Sequence, residues 1–144
     1  MGRIVVHLHG RAKDAAFSMA ISDYANRMSG NGVSLLEHRN RTNPEAYLAS
    51  IVSKAGKKNV IVLEESGENL DSMAYAEKMK QWRLSNDDIH LVVGPPGGFG
   101  EHSEGMSSLS LGLITLPHEL AAVVLLEQLY RASTIIKGLP YHRV

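Results

Sequence analysis

Hydrophobic and polar positions follow two rhythms along this chain, one of period two and one of period 3.6. Arg3 to His9 is rich in β-branched residues and predicts a strand closed by Gly10. Asp14 to Met28 puts Phe17, Ala20, Ile21, Tyr24 and Met28 at helical spacing, with a stop at Gly30-Asn31-Gly32. Val33 to Glu37 predicts a second short strand. Asn43-Pro44-Glu45 is a helix start, with Asn at the N-cap and Pro at the first helical position. Tyr47, Leu48, Ile51, Val52 and Ala55 make its buried face, and Gly56 ends it. Asn59 to Leu63 is continuously apolar, as in a strand covered on both faces of a parallel sheet. Glu64 to Gly67 reads as the loop at its C-terminal end. A helix from about Ser72 to Arg83 turns Met73, Ala76 and Met79 inward, and Ile89 to Val93 predicts another buried strand.

The last third carries the heaviest apolar load. Leu109 to Leu116 is too short for a helix and reads as a buried strand running into a loop. Pro117 breaks it, and Glu119 to Ile136 predicts one long helix. Ala121, Leu125, Leu129, Ala132 and Ile136 share a face, which Leu120, Val123 and Val124 widen. Such a helix requires cover on more than one side, from its own domain or from a second chain. Glu127 and Arg131 stand four apart in the order that favours pairing. Gly138 and Pro140 stop the helix. The alternation of strands and helices predicts an α/β fold with a mostly parallel sheet. Ligands in such sheets sit beyond the C-terminal strand ends. Three loops of unusual chemistry fall there: Glu64 to Gly67, Gly94 to Gly100, and Ile114 to His118.

Composition narrows the partners. The 144 residues predict one domain, 1–144, with 44% hydrophobic and 21% charged side chains. No cysteine is present, which excludes disulfides, thiolate metal sites and cysteine nucleophiles. No leader is expected, because Gly2-Arg3 leads straight into a strand, and no apolar run approaches a membrane span. The net charge is zero, which argues against a binder that relies on bulk phosphate attraction. A local basic patch, or a folded ribonucleoprotein surface, fits better.

Candidate chemistry is sparse. Gly98, Gly100 and Ser103 nearly fit a dinucleotide loop, but they begin five residues after the strand and lack the βαβ context. No Gly-Lys-Ser/Thr follows, so a P-loop is excluded. His7, His9 and His90 lie in strands without helical metal spacing, and no metal site is expected. His118 can either cap the long helix or line a site. His38-Arg39-Asn40-Arg41 reads as a solvated polar loop. The chain ends on Tyr141-His142-Arg143-Val144, a Pro-anchored tail with a phenol, an imidazole and a guanidinium that reads either as a solvated polar end or as an arm placed into a site.

LPHEL at Leu116–Leu120, LYRA at Leu129–Ala132 and PYHR at Pro140–Arg143 together resemble the RlmH family of ribosomal RNA large-subunit methyltransferases, in the SPOUT or α/β-knot superfamily. The resemblance extends over residues 59 to 143, through Ile61–Gly67 and Val93–Phe99. It departs at Pro95, where the family has Gly-Gly-Pro, and at Ala122, where the family commonly has Arg. It implies an α/β knot with a five-stranded, mainly parallel sheet and a C-terminal trefoil knot. It implies transfer of a methyl group from S-adenosylmethionine to N3 of a pseudouridine, by a cytoplasmic homodimer acting on ribosomal RNA or the assembled ribosome. Neither a membrane nor DNA is an expected partner. Carried over by motif, the cofactor contacts are Leu63, Gly94, Leu111, Gly112, Leu113, Ile114, Thr115 and Leu116. The catalytic candidates are Tyr141, His142 and Arg143, with His118 next. His38 to Arg41 becomes a mobile basic loop near substrate. Another RNA, such as transfer RNA, is the alternative substrate, and a non-catalytic RNA-binding knot protein is the alternative from another class.

Overall fold

The structure is a computed structural model that describes residues 1–39 and 43–143. Strands and helices alternate as β1 (Ile4–Leu8), α1 (Ala15–Arg27), β2 (Val33–Glu37), α2 (Pro44–Ala55), β3 (Val60–Asn69), α3 (Ser72–Leu84), β4 (Ile89–Val92), β5 (Ser107–Ser110) and α4 (His118–Lys137). Each of the first three helices starts on a side-chain cap. Asp14 accepts from the amides of Ala16 and Phe17, Asn43 from Ala46 at 2.7 Å, and Asp71 from Ala74 at 2.8 Å. Of the basic loop at His38–Arg41, Asn40 and Arg41 lie outside the described residues.

The five strands form one sheet in the order β2-β1-β4-β3-β5, and every pairing is parallel. The pleat sends alternate residues to opposite faces. Ile4, Val6 and Leu8 of β1 and Leu91 of β4 pack with α1, α3 and α4 on one face. Val60, Val62 and Val92 pack with Tyr47, Leu48 and Ile51 of α2 on the other. Helices therefore cover both faces, as the continuous apolar strands require.

One open alternative is decided and three expectations change in detail. First, α4 finds its cover within its own chain: Leu125, Leu126 and Leu129 are fully buried against the sheet, α1 and α3. Neither Leu125 nor Leu129 faces a partner. Second, α3 turns Tyr75, Ala76, Met79 and Trp82 inward, whereas Met73 is 54% exposed. Third, β3 continues to Asn69 through the stretch expected as a loop. Fourth, β5 is Ser107–Ser110, so the apolar run from Leu111 onward is loop, with Leu113 and Ile114 exposed. An edge strand that pairs with β3 alone needs backbone partners more than apolar side chains.

The α2 face of the sheet holds a chain of imidazoles. His7 on β1 is 4% exposed. Its Nδ1 lies 2.8 Å from His38 Nε2, and its Nε2 lies 2.8 Å from His90 Nδ1. The rings of His9 and His38 meet the edge of Tyr47 at 5.0 and 4.9 Å. Burial, and then the neighbouring His38 and His90, push the His7 pKa from 6.5 down to about 3.

Two predictions follow from this packing. The unfolded chain takes up a proton on His7 that the folded chain refuses between about pH 6.5 and 3. The stability that a neutral His7 contributes is complete above pH 6.5 and is lost as the pH falls toward 3, by at most about 1.4 kcal/mol per pH unit. His7→Gln should flatten that decline in urea midpoints measured from pH 7 to 4. Parallel declines for both proteins would contradict the linkage. The second concerns β3 and β5. A Cβ on Gly67 would lie 2.7 Å from the Leu109 carbonyl carbon and 2.8 Å from its amide nitrogen. Gly67→Ala should lower stability by about 1–3 kcal/mol, read as a fall in the urea midpoint. An unchanged midpoint would mean that the two backbones do not approach so closely.

Candidate active site

β3 meets β5 twice at the same residue. Leu63 pairs with Leu109, and so does Glu68, which leaves residues 64–67 outside the ladder. The bulge pushes Glu64, Glu65 and Ser66 toward the loop that follows β4. Together with Gly94–Gly100, the loop after β5 and the start of α4, they enclose a cavity of about 550 Å³. It lies at the C-terminal strand ends, where an α/β sheet places its ligand.

Glycine backbone makes one wall. Gly98 N–H donates to Pro95 O at 2.8 Å, closing a turn in which Gly98 has φ 72° and Gly100 φ 56°. Only glycine holds those dihedrals without strain. A side chain on Gly94 would start 3.3 Å from the Phe99 ring. Phe99 is itself buried and stacks on Tyr47 at 5.8 Å, while the Tyr47 hydroxyl donates to Val93 O at 2.8 Å. The glycine wall is thus braced from the α2 side of the sheet. Opposite it, the Ser110 hydroxyl donates to Gly112 O at 2.7 Å and accepts from Gly112 N–H at 3.1 Å. That pair folds the loop after β5 back over the cavity.

The ionisable side chains lining the cavity are Glu64, Glu65 and His118, and no Lys or Arg lines it among the described residues. The buried Ser103 hydroxyl donates to Glu64 and also reaches Gly100 O at 3.2 Å. One hydroxyl therefore ties the bulge of β3 to the glycine wall. The N-cap of α4 is Pro117, with no side-chain cap, so His118 lines the cavity and does not cap the helix. The first-turn amides of α4 keep their donors free of side-chain partners. Ala122 is buried in the core, so no basic side chain stands at that position.

Of the residues expected to hold cofactor, Leu63, Gly94, Leu111, Gly112, Ile114, Thr115 and Leu116 line the cavity, and so does His118. Leu113 does not; it is 88% exposed. Glu64, Glu65 and Ser66 line it as well, although only their position at a strand end pointed to them. The tail lies elsewhere. Tyr141 packs edge-on against Tyr130 at 4.8 Å, and His142 Nδ1 lies 3.1 Å from a terminal nitrogen of Arg131. Arg143 is exposed. Arg131 is 13 residues along α4 from His118, about 20 Å at 1.5 Å per residue. Within one chain, then, cavity and tail occupy opposite ends of the same helix. Arg131 and Glu127, which hold the tail, were legible as an ion pair but not as its anchor.

Comparison with known proteins agrees with this geometry. Residues 3–142 match the family described as "Predicted SPOUT methyltransferase". A protein of Kosmotoga olearia named "Ribosomal RNA large subunit methyltransferase H" is 38% identical over 135 residues, covering 92% of this chain and 79% of that protein. A protein of the same name from Anaeromyxobacter dehalogenans is 32% identical over 145 residues, covering 93% and 95%. A third, from another Anaeromyxobacter, is 33% identical over 152 residues, covering 98% and 99%. With the family matched from the first strand to the tail, and the relatives matching most of the chain, the chain belongs to the SPOUT methyltransferase family.

Proposed function

We propose that this chain methylates large-subunit ribosomal RNA at N3 of a pseudouridine, with S-adenosylmethionine as donor, as a cytoplasmic homodimer whose C-terminal segment is knotted. One observation carries the reading: a cavity walled by glycine backbone, lined by acidic side chains and by no Lys or Arg among the described residues, in a methyltransferase of this family. S-adenosylmethionine carries a sulfonium, an ammonium and a carboxylate. Glu64 and Glu65 suit the two cations. The uncapped start of α4 suits the carboxylate. The flat wall from Gly94 to Gly100 suits an adenine ring, and about 550 Å³ is a fitting volume for such a ligand. When bound, the cofactor supplies the electrophilic methyl group; the residues around it orient it and keep water out.

Methyl transfer also requires the target nitrogen to be held in line. The tail is the natural group for this, but it lies about 20 Å along α4 from its own cavity. Tail and cavity can work together only if the tail of one chain serves the cavity of another. This separation supports a homodimer, and the buried face of α4 does not supply its interface. No helix among the described residues is long and apolar enough to cross a membrane. With zero net charge, RNA is recognised through the shape of assembled ribosomal subunits more than through bulk attraction.

Calorimetry with a chelator present should show saturable binding of S-adenosylmethionine and of its demethylated product. A ligand at a hundredfold over its dissociation constant should stabilise the fold by about 2.7 kcal/mol. No heat and no thermal shift with either would end the reading. Ribosomal subunits should accept methyl groups, and transfer RNA should not.

A mixing experiment tests the shared site. Gly94→Val obstructs the cavity, and removal of residues 141–144 takes away the tail. Each variant alone should lack activity, the tail-deleted one still binding cofactor. Co-refolding the two should restore activity, because mixed dimers contain one intact cavity served by one intact tail. Mixed dimers that stay inactive, although shown to form, would make the tail structural or its action confined to its own chain.

A further inference from the structure

Tyr141 and His142 are arranged around a single side chain, Arg131. Its Nε donates to Glu127 Oε1 at 2.8 Å, and one terminal nitrogen reaches Glu127 Oε2 at 3.4 Å. The other terminal nitrogen faces His142 Nδ1 at 3.1 Å. The guanidinium carbon also lies 4.9 Å from the centre of the Tyr141 ring. A guanidinium has donors only and does not lose its proton in proteins. In the contact with His142, Arg131 must therefore donate, and Nδ1 must accept with its lone pair. A neutral imidazole carries one N–H, so His142 carries it on Nε2.

We infer that the tail acts as a set of hydrogen-bond donors that stabilise the target base once it is deprotonated, with Nε2–H of His142 at its centre and Arg131 as the positioning residue that fixes that tautomer. This rests on the methyl-transfer reading above, and it assigns the tail a role opposite to that of a general base. In the uracil ring of a pseudouridine, N3 lies between two carbonyl groups. When its N–H bond breaks, the electron pair stays on N3 and the proton leaves to solvent hydroxide, forming water. The negative charge spreads onto the two carbonyl oxygens. N3 then forms its bond to the methyl carbon as the sulfur–carbon bond breaks, and that pair returns to sulfur. Donors aimed at the oxygens lower the energy of the anion and of the transition state that follows.

The rest of the tail agrees. A guanidinium at Arg143 can donate but not accept. Burial, and then a hydrogen bond with Tyr24, push the Tyr141 pKa up to about 12, so its phenol keeps its proton at neutral pH. In this arrangement His142 and Arg143 offer N–H groups, while the Tyr141 O–H is engaged by Tyr24 and Tyr141 serves to pack the tail against Tyr130 and Arg131.

Two substitutions at one position separate donor from base. Gln presents an amide N–H near the place of Nε2, whereas Glu of similar length presents only acceptors. His142→Gln should keep the turnover within about tenfold of the wild type. His142→Glu should lose about a hundredfold or more, the usual cost of removing one donor from an anion site. Calorimetry on both variants should show unchanged cofactor affinity. Glu retaining more activity than Gln, or the two falling equally, would overturn the assignment.

The tautomer has its own readout, independent of turnover. Two-bond proton–nitrogen correlations on the full-length, nitrogen-labelled protein at neutral pH should show His142 protonated on Nε2 and bare on Nδ1. Arg131→Met keeps the aliphatic stem and removes the donor, and should give a mixture of tautomers. It should also lower kcat more than it raises KM. Wild-type protein with the proton on Nδ1 would refute the inference even if methyl transfer were confirmed. Wild-type protein with the expected tautomer but no methyl transfer would instead refute the proposed function.

Discussion

The double meeting of β3 with Leu109 is the constraint on which the site depends. A regular parallel ladder would have carried Glu64 to Gly67 straight along the sheet edge, with side chains alternating between its faces. Because Leu63 and Glu68 both pair with Leu109, four residues leave the ladder beside the cavity. Two carboxylates arrive there as a result, and Ser103 fixes one of them to the glycine wall. The arrangement closes only because Gly67 has no side chain, since any Cβ would strike the Leu109 backbone. The strand order contributes as well. β5 lies outside β3, so the chain leaving β4 crosses the end of β3 before it pairs. The glycine loop and the loop after β5 then face each other across the bulge.

α4 turns that local geometry into a problem of distance. Its core positions are fully buried, so the helix is held as a stiff rod by the sheet, α1 and α3. One end opens on the cavity, and the other carries the tail. The pair Glu127–Arg131 lies between them with side chains only 17% and 24% exposed, and it spends its hydrogen bonds on locking the tail in place. A surface ion pair contributes little to stability. Here its effect is orientation, because a guanidinium held by a carboxylate has a fixed direction to offer His142. The apolar excess that suggested a second chain over α4 is satisfied within the domain. The proposal of a partner rests instead on the distance along α4 between cavity and tail.

Much of the scaffold was legible because local and global preferences agree. β-Branched runs at Ile4–Leu8 and Val60–Val62 became central strands, and Asn43-Pro44 marked the start of α2 to the residue. β5 was misplaced because its four residues, three of them serine, have neither alternation nor apolar bulk; the neighbouring apolar run drew the assignment away. Leu113 and Ile114 are exposed, and periodicity cannot distinguish such apolar loop residues from core. The bulge at Glu64–Gly67 depends on pairing with a strand some forty residues later, and no local signal announces it. The imidazole chain joins residues up to 83 apart in sequence, so each His looked isolated. The residues expected to hold cofactor came from resemblance to a family, and all of them but Leu113 line one cavity.

The distribution of charge explains how a chain of zero net charge can suit an anionic polymer and a cationic donor at once. The proposed reaction joins a sulfonium to a nitrogen that has become anionic, so charge is annihilated in the transition state. A site that surrounded both reactants with one sign of charge would favour one ground state and oppose the other. Here, among the described residues, Glu64 and Glu65 line the cavity and no Lys or Arg does, while the tail offers N–H groups. Each reactant meets its own complement, and the two complements lie at opposite ends of α4. In the proposed dimer they come together when chains associate. On that proposal a lone chain would bind the donor away from the tail, and assembly of the site would be a condition for reaction. The buried imidazole chain serves the same economy, because it fills polar space beneath the glycine wall with neutral rings and adds no charge near the cavity.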